Sequence, residues 1–178
     1  MRPWTALACA ACVAGLVSSG CASPRKAPPA VPGPGVPVDT RALPPFTQGI
    51  VETALSLAGT PYRPGGTSPD GFDCSGYVAY VFGAHGVRLP RTVAGLYLAA
   101  SPVRADRVGA GDLLFFDTSG QGASHVAIAL GGGRFIHAPS SRGAVRVESL
   151  ATEDWGTRYV GARRVKPAPA APGPAEPR

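Results

Sequence analysis

The apolar residues between positions 50 and 99 recur at helical spacing and predict three helices. The first has one apolar face made of Ile50, Val51, Ala54, Leu55 and Ala58, and Gly59-Thr60-Pro61 is expected to end it. A glycine-rich loop then leads to a second apolar stripe, which consists of Tyr77, Val78, Val81 and Phe82. This stripe predicts a helix that begins near Cys74, and a third short helix is predicted over residues 92–99.

The chain after residue 110 consists of short apolar or alternating runs, which predict β-strands. The predicted strands are 112–116, 125–130, 134–138, 144–150 and 159–165. Gly131-Gly132-Gly133 separates two of them and indicates a β-hairpin. A chain with helices first and strands afterwards is typical of the α+β class, so we expect N-terminal helices packed on an antiparallel sheet.

The segments that flank this region are rich in proline and poor in large apolar residues. Residues 22–45 contain eight prolines, and residues 167–178 contain five. Such segments cannot bury a core and favour an extended chain. We therefore predict a tether over 21–45, a folded domain over 46–166 and a disordered tail over 167–178.

The N-terminus is typical of an export signal. Arg2 precedes an uncharged, alanine-rich stretch, and the small residues Ser18, Ser19 and Gly20 stand directly before Cys21. This arrangement resembles a bacterial lipoprotein processing site, with Ser18 where leucine is usual, and predicts a signal peptide over 1–20 and an acylated Cys21. Ordinary signal cleavage with an unmodified Cys21 is the alternative.

The residue after Cys21 and the charge balance indicate where the protein acts. By analogy with bacterial lipoproteins, Ala22 rather than aspartate would permit transfer to an outer membrane where there is one, so we expect a lipid-anchored protein at its periplasmic face. The chain has 17 basic and 11 acidic residues, a net charge of +6. Because the charges are scattered, they indicate a solvated basic surface that suits an acidic polymer or a membrane. We expect a monomer without a nucleic-acid partner.

Cys74 is a candidate nucleophile. Cys9 and Cys12 lie in the predicted signal and Cys21 is expected to be acylated, so Cys74 is left as a single exported thiol. At a helix start, unpaired N–H groups and the helix dipole favour the reactive thiolate. The alternative is that Cys74 is a small buried apolar residue.

Two histidines on neighbouring predicted strands are the candidate partners of this thiol. A three-residue glycine loop would pair Leu130 with Arg134, which puts His137 on the same face as His125. A thiol, an imidazole beside it and a second imidazole to orient the first are the parts of nucleophilic catalysis. Both histidines could instead be ordinary polar strand residues.

Three further residues near these predicted elements have expected structural roles. Ala127 and Ala129 share the face of His125, and their small side chains would let the Cys74 helix approach closely. His85 stands at a predicted helix C-terminus, where a partly charged imidazole suits the dipole, so we assign it a structural role.

The chain between Gly59 and Val165 also carries a series of short motifs in a recognisable order. They are Gly59-Thr60-Pro61-Tyr62-Arg63, Gly65-Gly66, Asp70-Gly71-Phe72-Asp73-Cys74-Ser75-Gly76, Leu89-Pro90-Arg91-Thr92, Gly111-Asp112-Leu113-Leu114-Phe115-Phe116, Ser124-His125-Val126-Ala127-Ile128 and Phe135-Ile136-His137-Ala138. Together they resemble the motifs of the NlpC/P60 family. The resemblance implies a papain-like α+β fold with neither a metal nor another cofactor. It also implies an enzyme that cuts the peptide stem of bacterial cell wall between D-glutamate and the diamino acid.

The resemblance implies roles for six residues. Cys74 is the nucleophile, His125 its base and His137 the polar residue that orients the base. Tyr62 matches a tyrosine whose hydroxyl helps to bind the oxyanion. Asp73 and Ser75 match residues that hold an amine of the stem peptide, although Asp73 could instead cap the Cys74 helix. The chain departs from the family at Val93 and Tyr97, where serine and glutamine are frequent, so the wall around the substrate is expected to differ.

Three other readings stay open at the level of sequence. The protein could be a non-catalytic lipoprotein that binds the wall. It could be a zinc hydrolase with Cys74, His125 and His137 as ligands, although it lacks a Cys-x-x-Cys pair or a His-Glu-x-x-His run. It could also be an amidase or acyltransferase in the same fold.

Overall fold

The computed structural model describes residues 38–141 and 143–166. The predicted signal peptide, Cys21, most of the predicted tether and the predicted tail lie outside these residues. None of the helices in the described ranges combines the length and apolar character needed to cross a membrane.

Three helices precede the sheet in the chain, as the apolar spacing predicts. They are α1 (Pro45–Ser56), α2 (Cys74–Gly83) and α3 (Val93–Ala99), and a small ribbon of β1 (Thr67–Ser68) and β2 (Gly71–Phe72) lies in the loop before α2. A proline in its first turn suits the start of α1, because that turn has no intrahelical acceptor for an N–H. Thr92 begins α3 with a side chain that accepts a hydrogen bond from the N–H of Gly95.

The second half forms one antiparallel sheet of six strands in the order β3-β8-β4-β5-β6-β7. The strands are β3 (Ser101–Val103), β4 (Leu113–Phe116), β5 (His125–Gly131), β6 (Arg134–His137), β7 (Arg146–Ser149) and β8 (Tyr159–Arg164). A short helix, α4 (Glu153–Arg158), connects β7 to the closing strand β8. The predicted α+β class and the antiparallel sheet are confirmed.

Apolar residues are buried on both faces of the sheet. On one face, Val126, Ile128 and Leu130 of β5 belong to the same cluster as the apolar stripes of α1 and α2. On the other face, Ala127 and Ala129 pack in a second cluster with Leu114, Phe116, Phe135 and Trp155. Strand β4 is therefore a continuous apolar run, because its alternate residues fill two different cores.

The structure corrects the limits of two predicted segments. Val38 and Leu43 pack against the main core, so this part of the predicted tether belongs to the folded domain. Helix α1 ends at Ser56, and Ala58 is an exposed turn residue rather than part of the apolar face. The ribbon strands β1 and β2, strand β3 and helix α4 were not predicted.

The hairpin between β5 and β6 differs from the predicted pairing in one detail. Gly131 lies opposite Arg134, so the predicted pair of Leu130 with Arg134 is wrong. A β-bulge after Ala129 absorbs the extra residue, and Ile128 lies opposite Ile136 as the prediction requires. The bulge and the turn are possible because all three glycines have positive φ angles. His125 and His137 consequently share a face of the sheet.

Candidate active site

Helix α2 begins at Cys74 because Asp73 caps it. One carboxylate oxygen of Asp73 accepts a hydrogen bond from the N–H of Gly76 at 2.7 Å. The other accepts a hydrogen bond from the N–H of Gly65 at 3.1 Å, which ties the preceding loop to the helix start. The thiol is therefore placed by a helix start that is fixed on two sides.

Arg91 holds the same carboxylate in a bidentate ion pair. Its Nη1 donates to Asp73 Oδ1 at 2.9 Å and its Nη2 donates to Asp73 Oδ2 at 2.6 Å. Nη1 also donates to Ser75 Oγ at 2.8 Å. Asp73 caps the helix as the sequence allowed, and both residues expected to hold a substrate amine are bonded to Arg91. Their role in substrate binding stays a prediction.

The electrostatic state of Cys74 differs from the expectation of a thiolate. Burial raises the pKa of the Cys74 thiol, and the negative charge of Asp73 raises it further. The backbone N–H groups of Val126 and Ser75 lower this pKa, in the direction expected at a helix start, but they do not outweigh the burial. The helix start therefore does not by itself keep the sulfur ionised, and burial favours the protonated thiol.

A hydrogen bond from the backbone of β5 places the Cys74 thiol beside the strand that carries the candidate base. Cys74 is a free, half-buried cysteine. Its sulfur accepts a hydrogen bond from the backbone N–H of Val126, the residue after His125. The start of α2 and the start of β5 therefore meet, although they are far apart in sequence.

His125 and His137 form a direct hydrogen bond. His125 Nε2 and His137 Nδ1 lie 2.7 Å apart, and both side chains are buried. The predicted proximity of the two imidazoles is confirmed. Because Nε2 is used by His137, Nδ1 is the nitrogen through which His125 can act as a base.

The two imidazoles lie on the face of the sheet that α2 does not cover. Ala127 and Ala129 share this face and pack in the cluster of Trp155. The expectation that their small side chains admit the Cys74 helix is therefore wrong. The larger Val126 and Ile128 meet the helices instead, and the thiol bonds to the backbone of Val126 at the start of the strand.

Trp155 covers this pair of imidazoles from α4. Its ring is stacked on His125 with centroids 5.6 Å apart and an angle of 30° between the planes. It also meets the ring of His137 edge to face at 4.8 Å. Burial in this apolar environment lowers the pKa of His125 to about 4, so the imidazole is neutral at neutral pH.

Tyr62 lies within electrostatic reach of the thiol. Its backbone N–H donates to the carbonyl of Gly143 at 2.7 Å, which holds the segment after β6 against the loop before β1. Burial raises the pKa of the Tyr62 hydroxyl, and negative charge on Cys74 or Asp73 raises it further. The hydroxyl is therefore protonated at neutral pH and can donate a hydrogen bond.

Two other residues singled out in the sequence have packing roles. Tyr97 lies edge to face on Phe115 at 5.0 Å, and the guanidinium of Arg163 lies 3.6 Å above its ring. His85 Nε2 is 2.8 Å from Thr53 Oγ1, so it links the end of α2 to α1 and takes no part in the imidazole pair. The structural role expected for His85 is confirmed.

Sequence reasoning missed the partners of the site. The residues around Trp155 show no helical or strand spacing of apolar positions. The signal that could have drawn attention to it is its rarity, because the chain has two tryptophans and the other, Trp4, lies in the predicted signal. Its indole N–H donates to the carboxylate of Glu148 on β7. Arg91 was visible only as part of a motif, since nothing local to it points to Asp73.

The arrangement of the imidazoles argues against a zinc site made of Cys74, His125 and His137. One nitrogen of each histidine is already bonded to the other, so these two nitrogens do not converge on a shared ion. Within 38–141 and 143–166, no three histidine, cysteine or acidic side chains are grouped to hold a metal.

A cavity of about 430 Å³ lies on the imidazole face but toward the other end of β5. Its lining includes Leu114, Ala129 and Tyr159, and it includes neither Cys74 nor either histidine of the pair. The cavity is therefore separate from the candidate site.

Helices over one face of an antiparallel sheet, with a thiol at a helix start beside a buried imidazole pair, define the papain-like α+β class. The chain belongs to the NlpC/P60 family, whose model matches residues 59–164. The family resemblance of the motifs is thereby confirmed.

Relatives with similar sequences are known from several bacteria. The chain is 44% identical over 124 residues to murein DD-endopeptidase MepH of Escherichia coli K12, covering 67% of this chain and 46% of the relative. It is 35% identical over 125 residues to gamma-DL-glutamyl hydrolase of Bacillus subtilis 168, covering 68% of this chain and 30% of the relative. The chain thus spans less than half the length of either relative.

A solved structure shows the same fold. It is an NLP/P60 family protein from Staphylococcus aureus Mu50, described as similar to a lipoprotein. The match has a TM-score of 0.62 and 38% identity, and it covers 67% of this chain and 41% of the other.

Proposed function

We propose that the protein is an exported peptidoglycan endopeptidase that hydrolyses an amide bond of the wall's stem peptide, with Cys74 as nucleophile. The observation that carries this proposal is the His125–His137 hydrogen bond of 2.7 Å beside the helix start that presents the thiol. Membership of the NlpC/P60 family supports the same chemistry. Export and anchoring through Cys21 complete the proposal.

The proposed reaction transfers the acyl group of the substrate to the Cys74 sulfur. It starts from a neutral thiol and a neutral His125 imidazole. His125 Nδ1 takes the thiol proton as the sulfur attacks the scissile carbonyl, because neither group is charged beforehand. For this, the Nε2–H of His125 donates a hydrogen bond to His137 Nδ1, which fixes the tautomer of both rings. His137 thus orients the base.

The remaining steps use Tyr62 and the proton that His125 has taken from the thiol. The Tyr62 hydroxyl donates a hydrogen bond to the oxygen that becomes negative in the tetrahedral intermediate. The protonated His125 then delivers its proton to the leaving amine, and a thioester with Cys74 is left. Water, deprotonated by His125, hydrolyses the thioester and restores the thiol.

The bond is proposed to lie between D-glutamate and the diamino acid. The relative from B. subtilis is named for a γ-DL-glutamyl bond, and the relative from E. coli for a DD bond. Hydrolysis of the D-glutamyl bond leaves L-alanyl-D-glutamate on the glycan. DD hydrolysis would instead leave complete stem peptides, so mass spectrometry of a wall digest separates the two.

Changing Cys74 to alanine is expected to abolish the release of stem-peptide fragments from purified wall, because no other group can form the thioester. The fold should be kept, since alanine fits a half-buried helix start. Mass spectrometry of the soluble fragments measures the release, and circular dichroism checks the fold. Undiminished release by the variant would rule out Cys74 as nucleophile.

A pair of matched histidine variants tests the base. His125→Gln should lose release as completely as the cysteine variant. His85→Gln, the same change outside the site, should keep wild-type release because His85 contacts Thr53 rather than the imidazole pair. Equal losses in both would indicate damage to the fold rather than to catalysis.

A further inference from the structure

Trp155 touches both imidazoles and belongs to an element that no motif of the chain marks. We propose that Trp155 is a positioning residue, whose indole shields the His125–His137 hydrogen bond from water and fixes the plane of the His125 ring. This role rests on the proposed function, since it concerns the base of that reaction. It assigns a task to α4, which otherwise only connects two strands.

The contacts of the indole are suited to that task. Trp155 stacks nearly parallel on His125 and meets His137 with its plane at 84° to that ring. Rotation of either imidazole out of the plane that makes their hydrogen bond would push it into the indole. Trp155 is only 6% exposed, so it closes this side of the pair to solvent.

The indole is itself held in place by a directed bond. Its N–H donates to a carboxylate oxygen of Glu148 on β7, and the other oxygen of Glu148 lies 3.0 Å from Arg146 Nε. Phe116 and Phe135 meet the indole edge to face, with ring centroids 5.0 and 5.6 Å from it. An aromatic ring fixed by a hydrogen bond and two rings loses little entropy when it positions a third group.

Exclusion of water has a measurable consequence for His125. A water molecule at this bond would compete for His125 Nε2 and would also solvate the imidazolium. His137 of β6 bonds to the ring directly. The other titratable or charged groups nearby are Cys74 of α2, which bonds to the backbone of Val126, and Glu148 of β7, which bonds to the indole. Arg158 of α4 lies 6.0 Å over the indole, and Tyr159 of β8 lies against Phe116. Burial is the cause of the low His125 pKa, and the stacked indole of Trp155 is one of the groups that bury the ring.

The test compares the His125 pKa in the full-length protein and in Trp155→Ala by NMR of the imidazole rings. The chain has 3 histidines, so the spectrum is simple, and His85 serves as an internal reference. In Trp155→Ala the pKa of His125 should rise by about one unit or more toward its ordinary value. Trp155→Phe, which keeps an aromatic ring over the pair, should restore most of the low value.

A matched control distinguishes loss of the indole over the imidazole pair from a general loosening of the surrounding apolar cluster. Leu114→Ala removes apolar volume from the same cluster, in which Leu114 is 1% exposed, without touching the imidazoles' aromatic cover. It should leave the His125 pKa unchanged. An unchanged pKa in Trp155→Ala, or an equal rise in Leu114→Ala, would overturn the proposal. If Trp155→Ala does not fold, Trp155→Leu replaces it, with a smaller expected rise and the same outcome for rejection.

Kinetics provide a second measurement. Trp155→Ala should lower kcat on a stem peptide by about 10- to 100-fold with little change in KM, because the base is misplaced while the substrate contacts remain. Trp155→Phe should recover most of the loss. The NMR result needs no substrate, so a protein that does not cut wall but shows the His125 shift would reject the proposed function and keep the role of Trp155.

Discussion

Cys74 and His125 are both neutral at rest, because burial disfavours the charged form of each. Burial raises the pKa of the thiol and lowers the pKa of the imidazole to about 4. A preformed thiolate–imidazolium pair would need both shifts to be reversed. Under the proposed mechanism, the proton therefore moves when the sulfur attacks, and the thiol stays protonated in the absence of substrate.

Tyr62 is the residue whose hydroxyl we propose to stabilise the developing oxyanion. Tyr62→Phe should lower kcat on a stem peptide by about 10- to 100-fold and change KM little, because a donor that acts mainly in the transition state is lost. Tyr80→Phe is the matched control, since Tyr80 is an exposed tyrosine that contacts Phe72 through its ring. A Tyr62→Phe variant with wild-type kcat would exclude the hydroxyl from the reaction.

Single residues also show where sequence reasoning stops. The position of Cys74 at a helix start and the proximity of His125 and His137 could be predicted because helix starts and strand alternation place them without long-range information. Their charge states could not, since the burial of Cys74 and His125 depends on Trp155 and on both cores. Trp155 itself lies in a six-residue helix that contains Gly156 and has no apolar period, so only tertiary packing gives it a role.

At the scale of elements, local patterns predicted the three main helices and five of the strands. Strand β3 was missed because Ser101–Val103 is short and mostly exposed, and only pairing with β8 makes it a strand. The face of the sheet that meets α2 was predicted wrongly. Alternation shows that two faces exist, but in a strand buried on both sides it does not show which face receives the helices.

Arg164 ties the closing strand β8 to the start of β4. It donates two hydrogen bonds to Asp112, at 2.6 and 2.8 Å, and the Asp112 side chain is only 1% exposed. Arg164→Leu should lower the free energy of unfolding by about 2–3 kcal/mol, below the range of fully buried pairs because Arg164 is half exposed. Urea unfolding measures the change.

The control for this prediction is an ion pair of the same types on the surface. Arg104 and Asp106 are 2.8 Å apart and both are exposed. Arg104→Leu should change the free energy of unfolding by less than about 1 kcal/mol. Similar losses in both variants would show that burial of Asp112 is not what makes the Arg164 contact important.

For the whole molecule, the proposal places a folded domain on a proline-rich tether that begins at Cys21. Changing Cys21 to alanine should move the protein from the membrane fraction to the soluble fraction, because the acylated residue is lost. The fractions are compared by immunoblot, and the mass of the N-terminal peptide reports the lipid. Cys12→Ala, a change within the signal, should leave the distribution as in the wild type. A Cys21→Ala protein that stays in the membrane would contradict the anchor.

The proposed nucleophile and its proposed base come from opposite sides of the sheet and from different halves of the chain. The two groups are brought near each other only where the starts of α2 and β5 meet. Under the proposed function, a chain held unfolded for export would not have this thiol and imidazole together and would not cut wall. Completion of tertiary packing would then be the step that assembles the site.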